Sequence, residues 1–338
     1  MYKFYLPYGE ESVTAYYNEI IRDGIKQSGN EVIDVKDFRE IGREDKVIVI
    51  SARMALSVWM HNPKQDVFVW IQGVGAEESL MYTSLFLPIR YLKYIHFRLS
   101  EYIVMRKARA IFFVSQAMKN YYEERYGTIR SPFIIMPCFN TQICRNAFWR
   151  DKYTKPTFVY TGGFQKWQCV DNVLAIYQRI KYHIPTAQLT FLTSDLDNAK
   201  SLLKNMNVVG VKIKHVPSNE LLEELRLYKY GFIWREDVIV NNVATPTKMS
   251  NYLAAGVIPI FTTAINDFSQ NLSLGKYGLI FHPSESADSV AVKIANFDRE
   301  KIDVDKIRKK YEDIFSAYYS RDHYLEIIMA RKNFKIKV

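Results

Sequence analysis

Three cationic side chains stand where strands end or helices begin in the second half of the chain: Lys166, Arg235 and Lys248. Lys248 lies in the run VATPTKMSNYLAAG. Helices tolerate proline at their first turn, so Pro246 followed by Thr247 and Lys248 opens a helix with free backbone N–H groups, a hydroxyl and a cation turned toward any anion in front of it. Gly256 closes that helix, and Ala254 and Ala255 let it pack closely on a sheet. Upstream, the apolar run Phe158 to Thr161 stops at Gly162 and Gly163, which permit a sharp turn and close approach of backbone to ligand, with Lys166 within reach of the same edge. Arg235 ends a further apolar run. Converging, these cations would neutralise a diphosphate without a metal. Taken singly, each motif is also what an ordinary αβ unit needs as a start, a turn or a stop.

The elements that must position them follow an αβ alternation. Strands are expected at Lys3 to Leu6, Glu31 to Val35, Lys46 to Ile50, Val67 to Ile71, Ala110 to Val114 and Phe133 to Met136, with helices at Val13 to Ser28, Ala52 to His61 and after Ser115. The strand ending at Ile71 leads into a loop, QGVGAEES, Gln72 to Ser79. No GxGxxG fingerprint follows the first strand, which argues against a standard dinucleotide site there. FWRDKYTKP reads as a linker, after which a second series begins: strands at Phe158 to Thr161, Gln188 to Leu192, Val211 to His215, Gly231 to Trp234, Val257 to Phe261 and Leu279 to Phe281, with helices at Val170 to Tyr182 and Ser218 to Tyr228 and a polar segment after Leu192. The domains expected are 1–147 and 148–319, with a basic amphipathic tail, 320–338, packing back on the first. Two open parallel sheets of this kind bind ligands at the carboxyl ends of their strands.

At 338 residues the chain is long for one core, which agrees with two domains. The net charge of +10 asks for an anionic partner. Cys138, Cys144 and Cys169 are too few and too irregularly spaced for a disulfide framework or a zinc site and fit a reducing, cytoplasmic compartment. No leader-like or membrane-spanning apolar run is evident, so membrane contact is expected to be peripheral. The stretch 85–109 interleaves Arg90, Lys93, Arg98, Arg106, Lys107 and Arg109 with Tyr, Phe, Ile and Leu. It reads either as a covering helix with a solvated basic face or as one that lies on an anionic membrane surface. No nucleic-acid module signature accompanies these residues, and nucleic acid is not an expected partner.

The series FVSQAMKNYY, IIMPCFN, YTGGFQKWQCVDNVL, FIWRED and VATPTKMSNYLAAGVIPI resembles bacterial glycosyltransferases of family 4, the retaining GT-B group, of capsule or O-antigen type. The resemblance implies an α/β fold of two Rossmann-like domains with parallel sheets facing across a cleft, acceptor on the first and nucleotide sugar on the second. It implies no metal and no cofactor, the donor being a UDP- or GDP-linked sugar. Gly162, Gly163 and Lys166 would border the donor diphosphate, Arg235 and Lys248 would contact it, and Pro246 and Thr247 would aim the helix at it. The loop Gln72 to Ser79 matches the acceptor side, which makes Glu77 and Glu78 candidates for contact with the reacting sugar or acceptor hydroxyl. Val243 and Asn251 stand where the family typically carries two glutamates, the second a ribose ligand, and Asn140 replaces the usual Asp after the Pro-Cys turn. The activity implied is transfer of a sugar to a hydroxyl of a lipid-linked surface glycan, by an enzyme peripheral on the inner face of the cytoplasmic membrane. The alternative, motivated by Val243 and Asn251, is a GT-B protein without catalysis that binds glycan or serves as a partner subunit.

Two pairs, Asp195 with Asp197 and Asp303 with Asp305, have the D-x-D spacing that metal-dependent transferases use, and are read here as helix caps and surface residues. The histidines show no metal-ligand spacing; His96 alone lies on the basic stretch, where it could approach an acceptor phosphate.

Overall fold

The computed structural model describes residues 1–10, 12–81 and 86–331. The chain forms two compact units. Unit 1 comprises Met1–Asn140, Asn242–Thr245 and Ser320–Val338, and unit 2 comprises Thr141–Asn241 and Pro246–Tyr319.

Unit 1 is built on strands β1 (Tyr2–Tyr5), β2 (Val32–Val35), β3 (Lys46–Val49), β4 (Asp66–Ile71), β5 (Ala110–Phe113) and β6 (Phe133–Ile135), all parallel in the order β2-β1-β3-β4-β5-β6. Unit 2 uses β7 (Thr157–Thr161), β8 (Gln188–Leu192), β9 (Lys212–Lys214), β10 (Tyr230–Ile233), β11 (Ile258–Thr262) and β12 (Leu279–Phe281), parallel in the order β12-β11-β10-β7-β8-β9. Strands covered on both faces by helices must be apolar throughout rather than alternating, and Val47–Val49, Ile111–Phe113 and Phe158–Tyr160 are all buried. The second sheet has the doubly wound order in which the direction of winding reverses between two neighbouring strands, here β7 and β10.

Most expected strands are present within a residue or two. The departures have local causes. The polar segment after Leu192 is a helix, Leu196–Asn205, capped by Asp195, whose carboxylate accepts from Asn198 N; Asp303 caps Val304–Ala317 through Lys306 N in the same way. The helix expected over Ser218 to Tyr228 contracts to Leu221–Leu225, with a turn before it in which Glu220 N donates to Pro217 O at 3.0 Å. The stretch read as a linker is packed into unit 2. Its 3-10 helix, Arg150–Thr154, buries Lys152 and Tyr153. Lys152 Nζ donates to Ala147 O at 3.2 Å and to Ala255 O, and Tyr153 OH donates to Gly256 O at 2.8 Å. This strap satisfies carbonyls at the end of the helix Lys248–Ala254, where Gly256 takes φ +66.

The tail forms a helix, Arg321–Ala330, against Ser12–Gln27 of unit 1. Gly24 makes room for it, since a Cβ there would lie 2.7 Å from Ile328 Cγ2, and Arg321 pairs with Asp23. Residues 332–338 of the expected tail and Leu85 of the expected basic stretch lie outside the described residues. That stretch contains the helix Leu87–Lys107, whose exposed side carries Lys93, Arg106 and Lys107 together with a run of apolar residues. Leu87, Ile89, Tyr91, Leu92, Ile95 and Leu99 are exposed, whereas Arg98 turns back over the Tyr126 ring at 4.7 Å and Arg90 donates to Leu80 O at 3.1 Å. Among the described residues no helix is long and apolar enough to cross a membrane.

The inner side of that helix holds Glu101, 1% exposed. Its Oε1 accepts from Ala76 N at 3.1 Å, at the start of the helix Gly75–Met81, and its Oε2 from Tyr126 OH at 2.8 Å. Burial outweighs both hydrogen bonds and pushes the carboxyl up from 4.5 to about 7. Between these values the folded chain keeps a proton that the unfolded chain has released, so the contribution to stability falls as pH rises through that window. Glu101→Gln, which keeps an acceptor and cannot ionise, is expected to gain on the parent protein from pH 5 to pH 8, by at most on the order of 3 kcal/mol. Melting temperatures of both proteins across that range read the effect; parallel curves would contradict it.

Candidate functional site

The carboxyl end of β7 turns at Gly162, which has φ +113 and donates its N–H to Leu192 O at 3.0 Å. A side chain would be strained here on two counts. The backbone is in a region that favours glycine, and a Cβ would lie 3.0 Å from Lys248 Cε and 3.1 Å from its Nζ. The chain then makes a 3-10 turn, Lys166–Gln168, and Cys169 adopts a left-handed conformation, φ 51, before the helix Val170–His183 begins. This turn fixes Gln168 beside the two cations expected from the sequence.

Arg235 follows β10, the neighbour of β7 across the reversal of the sheet, and is 3% exposed. Its Nη1 donates to Trp234 O at 2.9 Å and to Gln168 O at 3.1 Å, and its Nη2 to Gln168 Oε1 at 2.7 Å. Its own carbonyl accepts from Thr262 Oγ1, at the end of β11, at 2.7 Å. Lys248 Nζ donates to the same Gln168 Oε1 at 2.6 Å and to Tyr160 OH at 3.3 Å, and lies 4.3 Å from the centre of the Tyr160 ring. Tyr160 OH in turn donates to Gly163 O at 2.5 Å.

A guanidinium and an ammonium therefore share one amide oxygen, and the acceptors they have among the described residues are all neutral. Two unit charges about 5 Å apart repel by about 3 kcal/mol at an effective dielectric of 20. The repulsion falls on the lysine, because a guanidinium does not deprotonate in a protein. Burial first, and the Arg235 charge second, hold Lys248 well below the ordinary lysine range. Burial also lowers Arg235 within its own high range. Arg235 is buried and Lys248 half-buried, and a pair of cations with no counter-charge among the described residues can take an anion, at the point of a doubly wound sheet where ligands bind.

The remaining expected residues surround this pair in different ways. Lys166 is exposed on the 3-10 turn and takes no part in the hydrogen bonds that join Arg235, Gln168 and Lys248. Gly163 accepts the Tyr160 hydroxyl. The helix begins at Lys248 rather than at Pro246; Pro246 and Thr247 form the turn before it, with Met249 N donating to Pro246 O at 3.1 Å, and the Thr247 side chain makes no capping bond. A helix of seven residues adds a modest dipole, so the cations carry the field. Asn251 lies half-exposed one turn further along. Val243 is 1% exposed in unit 1, its carbonyl accepting from Ser115 Oγ at 2.6 Å, a setting in which a carboxylate would be buried without a cation. Gln168 and Tyr160 were not singled out by sequence. Their motif, YTGGFQKWQC, was, but a neutral amide and a phenol carry no charge to mark them.

In unit 1 the expected loop Gln72 to Ser79 is partly helical, Gly75–Met81, because Glu101 caps its start. The two glutamates on it part company. Glu77 pairs with Arg125 at 3.3 Å. Glu78 lines a cavity of about 190 Å³ with Ser51, Gln72, Gly73, Phe97 and Glu101, at the ends of β3 and β4. Gly73 leaves space for its carboxyl, and burial raises the Glu78 pKa, with a further push from Glu77. His96 is exposed on its helix.

No family model and no curated protein matches the chain by sequence. Solved structures match it by fold. WaaG, a glycosyltransferase involved in lipopolysaccharide biosynthesis, is 10% identical, with a TM-score of 0.66 over 98% of this chain and 100% of WaaG. A variant of S. aureus TarM, in complex with fondaparinux, alpha-GlcNAc-glycerol and UDP, is 12% identical, with a TM-score of 0.64 over 87% of this chain and 57% of TarM. The pneumococcal O-GlcNAc transferase GtfA, in complex with UDP and GlcNAc, is 10% identical, with a TM-score of 0.62 over 91% of this chain and 58% of GtfA. The chain thus spans little more than half the length of TarM and GtfA. At such identities the likeness is one of fold, and the fold is the GT-B arrangement of two Rossmann-like domains that these glycosyltransferases share.

Proposed function

We propose that the chain is a hexosyltransferase of the GT-B type that transfers a sugar from a UDP- or GDP-linked donor to a hydroxyl of a lipid-linked surface glycan, with retention of configuration and without a metal. The observation that carries the reading is the pair Arg235, buried, and Lys248, half-buried, whose only hydrogen-bond acceptors among the described residues are neutral. When the bond from the anomeric carbon to the diphosphate oxygen breaks, negative charge grows on that oxygen, and fixed cations in a dry site are the means of stabilising it. Gly162 and Gly163 border the diphosphate, the Pro246–Thr247 turn approaches it, Lys166 reaches it from solvent, and Asn251 serves the ribose. Glu78 orients the acceptor hydroxyl from the unit 1 cavity, while Glu77 is engaged by Arg125. Transfer to a lipid-linked acceptor suits an enzyme held peripherally on the inner face of the cytoplasmic membrane, and the exposed apolar side of Leu87–Lys107, with Lys93, Arg106 and Lys107 beside it, suits an anionic bilayer. A second reading, a GT-B protein without catalysis that binds glycan or a partner, is favoured by Val243 and Asn251 at the positions of the two glutamates.

Thermal shift with UDP and GDP, followed by assays for release of the nucleotide from its sugars, separates the two readings: binding without turnover on any donor sugar would favour the second, and binding of neither nucleotide would defeat the first. Lys248→Met is expected to leave the ligand-free melting temperature equal or higher, since it removes a half-buried cation without a counter-charge among the described residues, and to weaken nucleotide binding at least about thirtyfold. Binding to the parent should weaken as pH rises through the lowered Lys248 value, because the anion requires the protonated amine; the Met variant should lose that dependence. Undiminished binding by Lys248→Met would contradict the assignment.

Sedimentation with vesicles tests the membrane reading. Binding is expected to be stronger to anionic than to neutral vesicles and to weaken with salt, and Leu92→Glu with Ile95→Glu should abolish it. Equal binding by that double variant would exclude the helix as the contact.

A further inference from the structure

We infer that the side-chain oxygen of Gln168 is an internal stand-in for a phosphate oxygen: it closes the cation pair and is displaced when a ligand enters. The inference rests on the reading of Arg235 and Lys248 as an anion site.

Gln168 Oε1 lies 2.7 Å from Arg235 Nη2 and 2.6 Å from Lys248 Nζ, distances at which a phosphate oxygen would sit between the same two donors. A ligand oxygen cannot share that position with the amide. The amide is therefore not an additional arm of the site but a competitor for its centre. The cations do not depend on it for their placement. Arg235 is held by the carbonyls of Trp234 and Gln168, both backbone groups, and Lys248 by the hydroxyl and ring of Tyr160 and by the space left at Gly162. The side chain also has somewhere to go, being half-buried on a turn whose neighbour Lys166 is exposed.

The choice of an amide then has a physical meaning. With no acceptor between them, the buried Arg235 and the half-buried Lys248 would leave donors unsatisfied. A carboxylate in that place would form charge-assisted bonds to both and hold the site shut. A neutral oxygen satisfies the donors while leaving the positive charge uncompensated, so a dianion still gains by replacing it. The ligand class that follows is one offering at least one phosphoryl oxygen to two donors at once, with enough negative charge to outbid an amide: a diphosphate rather than a neutral sugar or a monocarboxylate. The apparent affinity carries the fraction of protein in which the amide has moved aside.

Calorimetric titration of the full chain with inorganic pyrophosphate, and separately with UDP and GDP, tests this on the parent, Gln168→Ala, Gln168→Leu and Gln168→Glu. The Ala and Leu variants, one short and one of similar volume, are expected to bind pyrophosphate about three- to tenfold more tightly than the parent while melting at a lower temperature without ligand, since removing the competitor removes its occupancy from the apparent constant. Gln168→Glu should bind at least about tenfold more weakly and melt higher without ligand. Weaker pyrophosphate binding by both the Ala and Leu variants would show that the amide helps the ligand, and would overturn the inference. Unchanged binding by Gln168→Glu, or no binding of pyrophosphate by the parent, would overturn it as well. If pyrophosphate follows the expected pattern while UDP and GDP bind no more tightly than pyrophosphate, the inference stands and the nucleotide-sugar reading fails.

Discussion

Confining two like charges at one neutral oxygen is the constraint on which the second unit is built. Such a pair exists in a folded chain only if something else fixes both members, because each would be better solvated apart. Arg235 is fixed by leaving the sheet directly from β10, and Lys248 by a short helix whose far end is tied down through Lys152 and Tyr153. The reversal of winding between β7 and β10 brings these elements to one edge of the sheet. Gly162 then leaves out the Cβ that would press on the end of Lys248. Each feature is ordinary in an αβ unit; their combination is not explained by stability.

The first unit repeats the architecture with a different electrostatic character. Its cavity gathers carboxyls, Glu78 and Glu101, and keeps them poorly solvated, so they hold protons more readily than free carboxylates do. One of the two has its acceptors engaged by a helix start and a tyrosine; the other borders open space. The same folding pattern thus supplies a positive site at one set of strand ends and a weakly acidic site at another. That contrast is suited to separating a charged leaving group from a hydroxyl-bearing partner, the division of labour proposed above.

Much of this was legible in the sequence, for reasons that particular residues make plain. Strands such as Ala110–Phe113 announce themselves because parallel strands covered on both faces are apolar without interruption. Arg235 and Lys248 were singled out because each is a cation where an apolar run ends or a helix begins, and the structure brings both to Gln168. Gln168 was not, since its role depends on the distance to two residues far along the chain. The helix Leu196–Asn205 hid behind its polar composition, and FWRDKYTKP looked like a linker because proline and charge are typical of linkers, although here the lysine is inside. The basic helix was read from its cations, and the structure shows how little sequence says about direction: Arg98 faces a tyrosine while Leu92 and Ile95 face solvent. Lys166 fits the motif and yet stands apart from the bonded cluster.

The return of the last helix to the first unit has a consequence for how the chain is made. Gly24 and its helix are covered by Ile328, with Tyr324 packed beside Phe139, so residues far apart in sequence complete one core. Synthesis runs from the N-terminus, and domains fold as units when their residues are available. Unit 2 has all of its residues once Tyr319 has emerged, whereas unit 1, first in order, is still missing the helix that closes it. Unit 2 is thus the first to be able to finish, and until Arg321–Ala330 arrives, Ser12–Gln27 keeps uncovered the apolar face on which that helix packs.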